Sequence, residues 1–270
     1  MAQPRTCVVI SYWAARSTAN LHKLLGQMQT LDAGCPFDVV VVSNGGNAAP
    51  LVIPARFDGL KVRVFNRENT HYNIGAWEHG WRNVEGYEFF LFLQDECFLK
   101  RARWLEPYEF RMSRDPGIGL LGEMIRWDQM SWPFIRASTD RDLGPGAWPA
   151  GEAMHPIDAY QHQMERRGIS KGDEATFLSS IILFTSRKIL EEVGGYPLFG
   201  LSYRDAAATE VAFSRAIAAK GYRLSRIKED DLYYISHFQW KSSSLRWAAR
   251  RDKLRGILRR VGLKRRHRTA

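Results

Sequence analysis

The apolar run from Phe89 to Leu93 is the feature that most limits how this chain can fold. A strand that is apolar at every position is covered on both faces, which is typical of the inner strands of a parallel sheet. Two acids, Asp95 and Glu96, follow the run almost at once. Because open α/β sheets bind ligands at the carboxyl ends of their strands, these acids predict a ligand site.

Strand-like and helix-like segments alternate over the first hundred residues. Strands are predicted in "TCVVISYW" (6–13), "FDVVVVSNGG" (37–46), "LKVRVFN" (60–66) and "YEFFLFLQDE" (87–96), and helices in "STANLHKLLGQMQTL" (17–31) and "NIGAWEHGWRNV" (73–84). This order predicts an α/β protein with a mostly parallel, doubly wound, Rossmann-like central sheet and flanking helices.

The second half of the chain has a different character. From 127 to 172 the periodicity weakens and Trp, Pro and Gly are frequent, which predicts an irregular insert. After it come a strand-like stretch, "ATFLSSIILFTS", two helical runs, "RKILEEVGG" and "ATEVAFSRAIAAKGY", and a last strand, "DLYYISHF". Gly194 and Gly221 follow the two helical runs, where a glycine that ends a helix is expected.

The formal net charge of +10 is concentrated at one end of the chain. Residues 245–270 hold eleven Lys or Arg and one acid, so the rest of the chain is neutral. The apolar residues Trp247, Leu254, Ile257, Leu258 and Val261 share one helical face, which predicts a basic amphipathic helix at an anionic membrane surface. A solvated disordered tail and nonspecific nucleic-acid binding are the alternatives.

The cysteines and the termini predict a location. Cys7, Cys35 and Cys97 are odd in number and form no CxxC pair, which indicates reduced thiols in a cytosolic protein. The N-terminus has no long apolar segment of a secretory signal, and no apolar run is long enough to cross a bilayer. We therefore expect a cytoplasmic protein, with its tail at the inner face of the cytoplasmic membrane.

Two nucleotide-binding motifs are missing from the sequence. The segment after the first strand reads "SYWAARS" and lacks the GxGxxG pattern of dinucleotide-binding folds. No loop ending in GK[ST] is present either. Both absences count against NAD-dependent enzymes and P-loop NTPases.

The order of several short motifs resembles glycosyltransferases of the GT-A fold, closest to the family 2 type. These motifs are "VVISYWA", "VVSNGG", "NIGAWEHG" and "FLFLQDE", followed by "SRKILEEVGGYP" and, later, "AKGYRL". The resemblance extends over about 6–240. It implies that 1–240 form one GT-A domain, with a donor half at 1–126, the insert at 127–172 and an acceptor half at 173–240, followed by the tail at 241–270.

The resemblance implies a divalent metal, Mn²⁺ or Mg²⁺, and a nucleoside-diphosphate sugar as donor. Asp95 and Glu96 match the last two positions of the family's acidic motif, and Gln94 stands at the first. Glu96 is the predicted metal ligand, Asp95 contacts the metal or the donor, and His237 is the third ligand. The alternatives are a surface turn with solvated acids and a structural histidine.

The resemblance also implies a catalytic base that deprotonates the acceptor hydroxyl in an inverting transfer. Alignment on Gly221 places Glu210 at that position, with Thr209 instead of the acid that usually precedes the base. Asp205 is the second candidate. The alternative for Glu210 is an acid that only stabilises the start of a helix.

The donor pocket is expected at the ends of the first strands. Tyr12 is predicted to stack on the nucleobase, and Ser43, in place of the family's aspartate, and Asn44 to close the pocket. Asn73 and Gly75 lie where the family approaches the donor. These residues, with Asp95, make up the predicted donor-binding set.

The sequence thus predicts a hexosyltransferase-type enzyme. It would move a sugar from its nucleotide carrier to a saccharide or polyprenyl-linked acceptor in surface-glycan synthesis, without specific nucleic-acid binding. The alternative is a non-catalytic module that binds a sugar nucleotide or a glycan through a degenerate GT-A site. The departures from the family pattern at Gln94, Ser43 and Thr209 favour that alternative.

Overall fold

The computed structural model describes residues 4–45, 49–143 and 154–239. The chain divides into two units, Met1–Ser236 and His237–Ala270, and of the second unit only 237–239 are among the described residues. The basic helix predicted for 241–270 therefore lies outside the described residues. Within the described ranges, no helix combines the length and the apolar character needed to span a membrane.

The described part of the chain alternates strands and helices. The strands are β1 (Thr6–Trp13), β2 (Phe37–Asn44), β3 (Val62–Arg67), β4 (Phe89–Gln94), β5 (Cys97–Leu99), β6 (Ile118–Gly122), β7 (Ile125–Arg126), β8 (Phe177–Leu178), β9 (Ile182–Ser186), β10 (Arg223–Arg226) and β11 (Ile235–His237). The helices are α1 (Ala19–Thr30), α2 (Tyr72–Arg82), α3 (Glu106–Arg114), α4 (Trp132–Leu143), α5 (Pro156–Arg166), α6 (Arg187–Val193) and α7 (Tyr203–Ala219). All strands and helices predicted for the first hundred residues are present.

Seven strands form the central sheet in the order β10-β6-β9-β4-β1-β2-β3. Strand β9 is antiparallel to both of its neighbours, and the other neighbouring pairs are parallel. The residues from Cys7 to Tyr12 in β1 and from Phe89 to Leu93 in β4 are all buried, as expected for strands covered on both faces. The predicted mostly parallel sheet with flanking helices is confirmed.

The strand order changes direction at β1. The chain runs from β1 to β2 and β3 on one side, and then returns to β4 on the other side of β1. In open α/β sheets, a crevice forms beyond the carboxyl ends of the strands at such a switch point. The candidate residues at the ends of β1, β2 and β4 therefore lie at the edge of the sheet that is suited to bind a ligand.

Two glycines end helices as the sequence predicts. Gly194 follows α6 and Gly221 follows the last turn of α7, with φ angles of 76° and 87°. Side chains with a Cβ rarely adopt this left-handed conformation, whereas glycine does so without strain. Each glycine therefore lets the chain leave its helix and start the next segment.

The segment 127–172, predicted to be irregular, contains two helices, α4 and α5, in its described part. Helix α5 packs on α7 and α4 packs on α5, and all three helices contribute to one apolar cluster, which consists of Trp132, Ile135, Ile157, Met164, Ala175, Phe177, Val211 and Ala212. Because each helix contributes only a few residues to this cluster, its periodicity is weak in the sequence. The insert thus has a core of its own against the helix that carries Glu210.

A buried carboxylate fixes the chain where it approaches β11. Glu123 is almost fully buried, and its Oε1 accepts hydrogen bonds from the Tyr108 hydroxyl at 2.7 Å and from the Tyr234 and Ile235 amides at 3.0 and 2.9 Å. Its Oε2 accepts a further hydrogen bond from the Tyr233 amide at 2.5 Å. One side chain thus satisfies three consecutive backbone donors, which stabilises this turn.

We expect Glu123→Gln to lower the free energy of unfolding by about 2 to 4 kcal/mol, because the new NH₂ group faces amide donors and leaves one of them unpaired. Chemical denaturation at neutral pH measures this loss. The control is Glu88→Gln, which removes an exposed ion pair with Arg5 (2.7 Å) and should cost about 1 kcal/mol or less. Equal losses in the two variants would contradict the anchoring role of Glu123.

Candidate active site

Four of the predicted donor-binding residues, Tyr12, Ser43, Asn44 and Asp95, lie at the carboxyl ends of neighbouring strands. The strand register pairs Tyr12 of β1 with Ser43 of β2, and Ser11 of β1 with Gln94 of β4. Strand β4 ends at Gln94, and the amide of Asp95 still donates to the Ser11 carbonyl at 3.0 Å. Residues that are far apart in the sequence therefore meet at one edge.

The two acids after β4 differ in their surroundings. Asp95 is 7% exposed, and burial together with the neighbouring Glu96 charge raises its pKa to about 6. The Glu96 side chain is 15% exposed, and its Oε1 lies 2.6 Å from Nη1 of Arg16. A crowded pair of acids that already attracts one cationic group is a suitable place for a cation.

The turn after β1 brings Arg16 to this place. The Tyr12 hydroxyl donates to the Arg16 carbonyl at 2.6 Å, and the Arg16 amide donates to the Trp13 carbonyl at 2.9 Å. Tyr12, predicted to stack on a nucleobase, is buried and holds this turn, whereas Trp13 is 44% exposed. Trp13 and Arg16 were not among the predicted site residues, although "YWAAR" places Trp13 at the end of β1 and Arg16 in the turn after it.

Asn44 connects the end of β2 to the loop before α2. Its Nδ2 donates to the Tyr72 carbonyl at 3.1 Å, and its Oδ1 accepts from Arg67 at 3.0 Å. Arg67 also donates to the Thr70 carbonyl at 3.0 Å. Ser43 is buried beside Asn44. In this structure Asn44 therefore positions the loop that leads to Asn73.

Gly75 allows the first turn of α2 to pack against the same loop. A Cβ at this position would lie 2.5 Å from the Thr70 carbonyl oxygen and 2.8 Å from Nη1 of Arg67. The preceding residues His71 and Tyr72 both have left-handed backbones, with φ of 57° and 54°. Such strain is frequent near functional sites, where the surrounding contacts maintain it.

The main chain of Ser180 joins two predicted site residues, Asn73 and Glu210, to Gln94, the first residue of the acidic motif. Its carbonyl accepts hydrogen bonds from Asn73 at 2.8 Å and from Gln94 at 3.1 Å. Its amide donates to Oε1 of Glu210 at 2.5 Å. The start of α2, the end of β4 and the middle of α7 are thus connected through one residue, which the sequence analysis did not single out.

Glu210 has the properties of a proton acceptor. It is partly buried, and burial raises its pKa above the usual value, while hydrogen bonds from Ser179 and Ser180 and the positive charge of Arg126 act in the opposite direction. A carboxylate with a raised pKa is a more effective general base than an exposed one. Its position within α7, rather than in the first turn, argues against a role limited to stabilising the start of that helix.

Asp205, the second candidate base, has a structural role at the start of α7. Its carboxylate accepts from the amide and hydroxyl of Ser202 at 3.1 and 2.7 Å, and the Ser202 hydroxyl accepts from the Asp205 amide, which completes a capping box. Gln163 of α5 donates to its other oxygen at 3.2 Å. Asp205 is therefore occupied in fixing the helix that carries Glu210.

Comparison with known proteins identifies the fold. No protein-family model matches the sequence, and no curated protein sequence matches it. The structure is similar to a mannosyltransferase, PcManGT from Pyrobaculum calidifontis, in complex with GDP-Man and Mn²⁺ (TM-score 0.51, 16% identity), and to S. aureus TarS 1-349 (TM-score 0.50, 16% identity). It is also similar to GalNAc-T7 with UDP, GalNAc and Mn²⁺ (TM-score 0.51, 14% identity). The chain has a GT-A fold.

The similarity to these GT-A structures covers most of this chain. It includes 83% of the chain for PcManGT and 87% for each of the other two. The same regions are 55%, 61% and 44% of the respective neighbours, so this chain spans about half of their length. At this level of identity the likeness concerns the fold alone.

The sequence resemblance predicts a divalent metal, and the two acids are suitable to hold one. Carboxylate oxygens are preferred ligands of Mg²⁺ and Mn²⁺, and the Asp95–Glu96 pair concentrates negative charge. His237, the predicted third ligand, is buried at the end of β11, and its Nδ1 accepts from the Gln239 amide at 3.3 Å. Among residues 4–45, 49–143 and 154–239, no three His, Cys, Asp or Glu form a ready-made metal site. The three-ligand set stays a prediction.

We expect Asp95→Asn to change how stability depends on pH. Because the pKa of Asp95 rises from 3.8 to about 6 on folding, the folded state binds more protons than the unfolded state between these values, and stability falls as pH rises through that window. The advantage of the variant over the wild type should therefore grow by about 2 to 3 kcal/mol between about pH 4 and pH 7. Denaturation with a chelator present measures it, and a difference independent of pH would contradict the assignment.

Proposed function

We propose that this chain is a glycosyltransferase that moves a sugar from a nucleoside-diphosphate donor to an acceptor hydroxyl with inversion. The observation that carries the proposal is the connection of Gln94, Asn73 and Glu210 through Ser180. It links the acidic motif, where the donor diphosphate is expected, to a partly buried carboxylate suited to accept a proton. The GT-A fold supports the same function.

In the proposed reaction, the acceptor oxygen attacks the anomeric carbon of the donor sugar. The acceptor proton passes to the Glu210 carboxylate, the bond between the anomeric carbon and the diphosphate oxygen breaks, and the nucleoside diphosphate leaves. Attack from the face opposite the leaving group inverts the configuration. The raised pKa of Glu210 favours the proton transfer, and the hydrogen bond from the Ser180 amide orients the carboxylate.

The donor would lie along the carboxyl ends of β1, β2 and β4. Asp95 and Glu96 would hold a divalent metal, with His237 as a further ligand, and such a metal neutralises charge on a departing diphosphate. Trp13 offers an exposed ring on which the nucleobase would stack. The buried residues Tyr12, Ser43 and Asn44 would hold the strand ends next to it in place. PcManGT with GDP-Man and Mn²⁺ and GalNAc-T7 with UDP and Mn²⁺ are consistent with this choice of donor and metal.

The remaining parts of the proposal concern the acceptor and the location. We infer a hexosyltransferase that acts on a saccharide or polyprenyl-linked acceptor in surface-glycan synthesis, on the cytoplasmic side of a membrane. The donor half at 1–126 and the acceptor half at 173–240 would form one domain, and the tail at 241–270 would attach it to anionic lipid. The support for the tail's role is its charge, eleven Lys or Arg with one acid in 245–270.

The role of Glu210 is tested by Glu210→Gln, which keeps an acceptor oxygen for the Ser180 amide but cannot take up the proton. With the donor found by screening UDP- and GDP-sugars with Mn²⁺, we expect kcat to fall about 10²- to 10⁴-fold. Binding of UDP or GDP, measured by calorimetry, should change little. An unchanged kcat would reject Glu210 as the base.

The matched control is Asp205→Asn, which disturbs the capping box of α7. It should lower stability by about 0.5 to 2 kcal/mol and leave kcat close to that of the wild type. Loss of turnover in this variant alone would transfer the role of base to Asp205. Binding of UDP or GDP without turnover on any donor and acceptor would favour the non-catalytic module instead.

The tail is expected to bind anionic membranes. The full chain should sediment with vesicles that contain phosphatidylglycerol, whereas a chain without residues 245–270 should not, because about 1 kcal/mol is available per basic residue near the surface. Vesicles of neutral lipid and about 1 M salt should both abolish binding. Equal sedimentation of the two chains would reject this role, and binding to duplex DNA at matched salt would favour the nucleic-acid alternative.

A further inference from the structure

Arg16 lies where a cation would bind the acidic motif. Its Nη1 is 2.6 Å from Oε1 of Glu96, although 80 residues separate the two in the sequence. Glu96 is the acid that we assign to the metal. A metal ion bound to Oε1 would compete with the guanidinium for the same oxygen, so the ion pair weakens metal binding at Glu96.

The backbone of Arg16 is held in place, while its side chain is partly open to solvent. The Tyr12 hydroxyl and the Trp13 carbonyl fix its main chain, and the Ala14 amide donates to the Asn44 carbonyl at 3.1 Å. The side chain is 44% exposed, and its guanidinium lies 5.3 Å from the centroid of the Trp13 ring. Because these main-chain contacts do not involve the guanidinium, the Arg16 side chain can leave Glu96 without breaking them.

A diphosphate is the ligand chemistry that this arrangement suits. Arginine binds phosphate oxygens in a bidentate manner, more specifically than lysine does. In the absence of a cation, Asp95 and Glu96 repel an incoming diphosphate, and the Arg16–Glu96 pair neutralises one of these charges. Once a diphosphate is near, it offers Arg16 another anionic partner and removes the competing guanidinium from Oε1 of Glu96.

We propose that the Arg16 guanidinium pairs with Glu96 in the donor-free protein and with the diphosphate when the donor is bound. This exchange of partners couples donor binding to metal binding. The inference rests on the proposed function, since it assumes a nucleoside-diphosphate donor. It assigns Arg16 as a donor-binding residue, and it predicts that each ligand increases the affinity for the other.

The test is isothermal titration of the full chain with Mn²⁺ alone, and with UDP and GDP in a chelator without metal. In Arg16→Gln, Mn²⁺ alone should bind about 5-fold or more tightly than in the wild type, because the competing guanidinium is gone. The better-binding nucleotide should bind about 5-fold or more weakly without metal. Unchanged affinity for either ligand overturns the exchange.

Two further variants separate the exchange from a general effect of charge. Arg5→Gln removes the same charge and also breaks an Arg–Glu pair, the exposed one with Glu88, and should leave both affinities unchanged. Glu96→Gln frees Arg16 and should strengthen metal-free nucleotide binding in the wild-type background more than in the Arg16→Gln background. Equal effects in the two backgrounds, or an Arg5→Gln variant that behaves like Arg16→Gln, would overturn the proposal.

The proposed function fails in a different way from the exchange. If the wild type binds neither Mn²⁺ nor UDP nor GDP, the donor assignment is wrong and the exchange is overturned with it. If the wild type binds both ligands and Arg16→Gln binds them equally well, only the exchange is overturned. Nucleotide binding that depends on Arg16 in a protein that never binds Mn²⁺ also overturns it.

Discussion

Every residue of β1 from Cys7 to Tyr12 is buried, and the strand lies between two parallel neighbours, β2 and β4. Burial of apolar area on both faces holds these three strands together, with roughly 25 cal/mol per Å² as the driving force. Since parallel strands end at the same edge, this packing determines where the polar segments that follow them lie. The turn with Arg16, the side chain of Asn44 and the acidic motif are neighbours for this reason.

The same packing explains how far the site could be predicted. The four apolar runs of the first hundred residues indicate the strands, and Asp95 and Glu96 follow one of them after a single residue, Gln94. The Arg16–Glu96 pair could not be predicted, because it depends on the turn geometry after β1 and spans 80 residues. Ser180 was missed for a different reason: its carbonyl and amide contact Asn73, Gln94 and Glu210, and the residue type carries no signal for main-chain contacts.

Burial also distinguishes the two aromatic residues at the end of β1, since Tyr12 is buried and Trp13 is exposed. Alternation along a strand indicates which side chains share a face of the sheet. When both faces are covered, it does not tell which side chains are buried and which are exposed. Tyr12 is therefore an internal support with its hydroxyl bound to the Arg16 carbonyl, and Trp13, where the strand leaves the covered region, is the exposed ring. The insert shows the same limit, because α4 and α5 each bury only a few apolar residues, in a cluster that they share with α7.

Two departures from the glycosyltransferase pattern, at Gln94 and Thr209, are explained by the hydrogen bonds that these side chains make. Gln94 stands where an acid is more usual, and its amide donates to the Ser180 carbonyl, which a carboxylate could not do. Thr209 also replaces an acid, and its hydroxyl donates to the Asp205 carbonyl at 2.9 Å, in a buried position where an unpaired charge would be costly. Both replacements supply a hydrogen-bond donor to a main-chain oxygen. Each replacement thus has a structural role, so neither one is by itself evidence of a degenerate site.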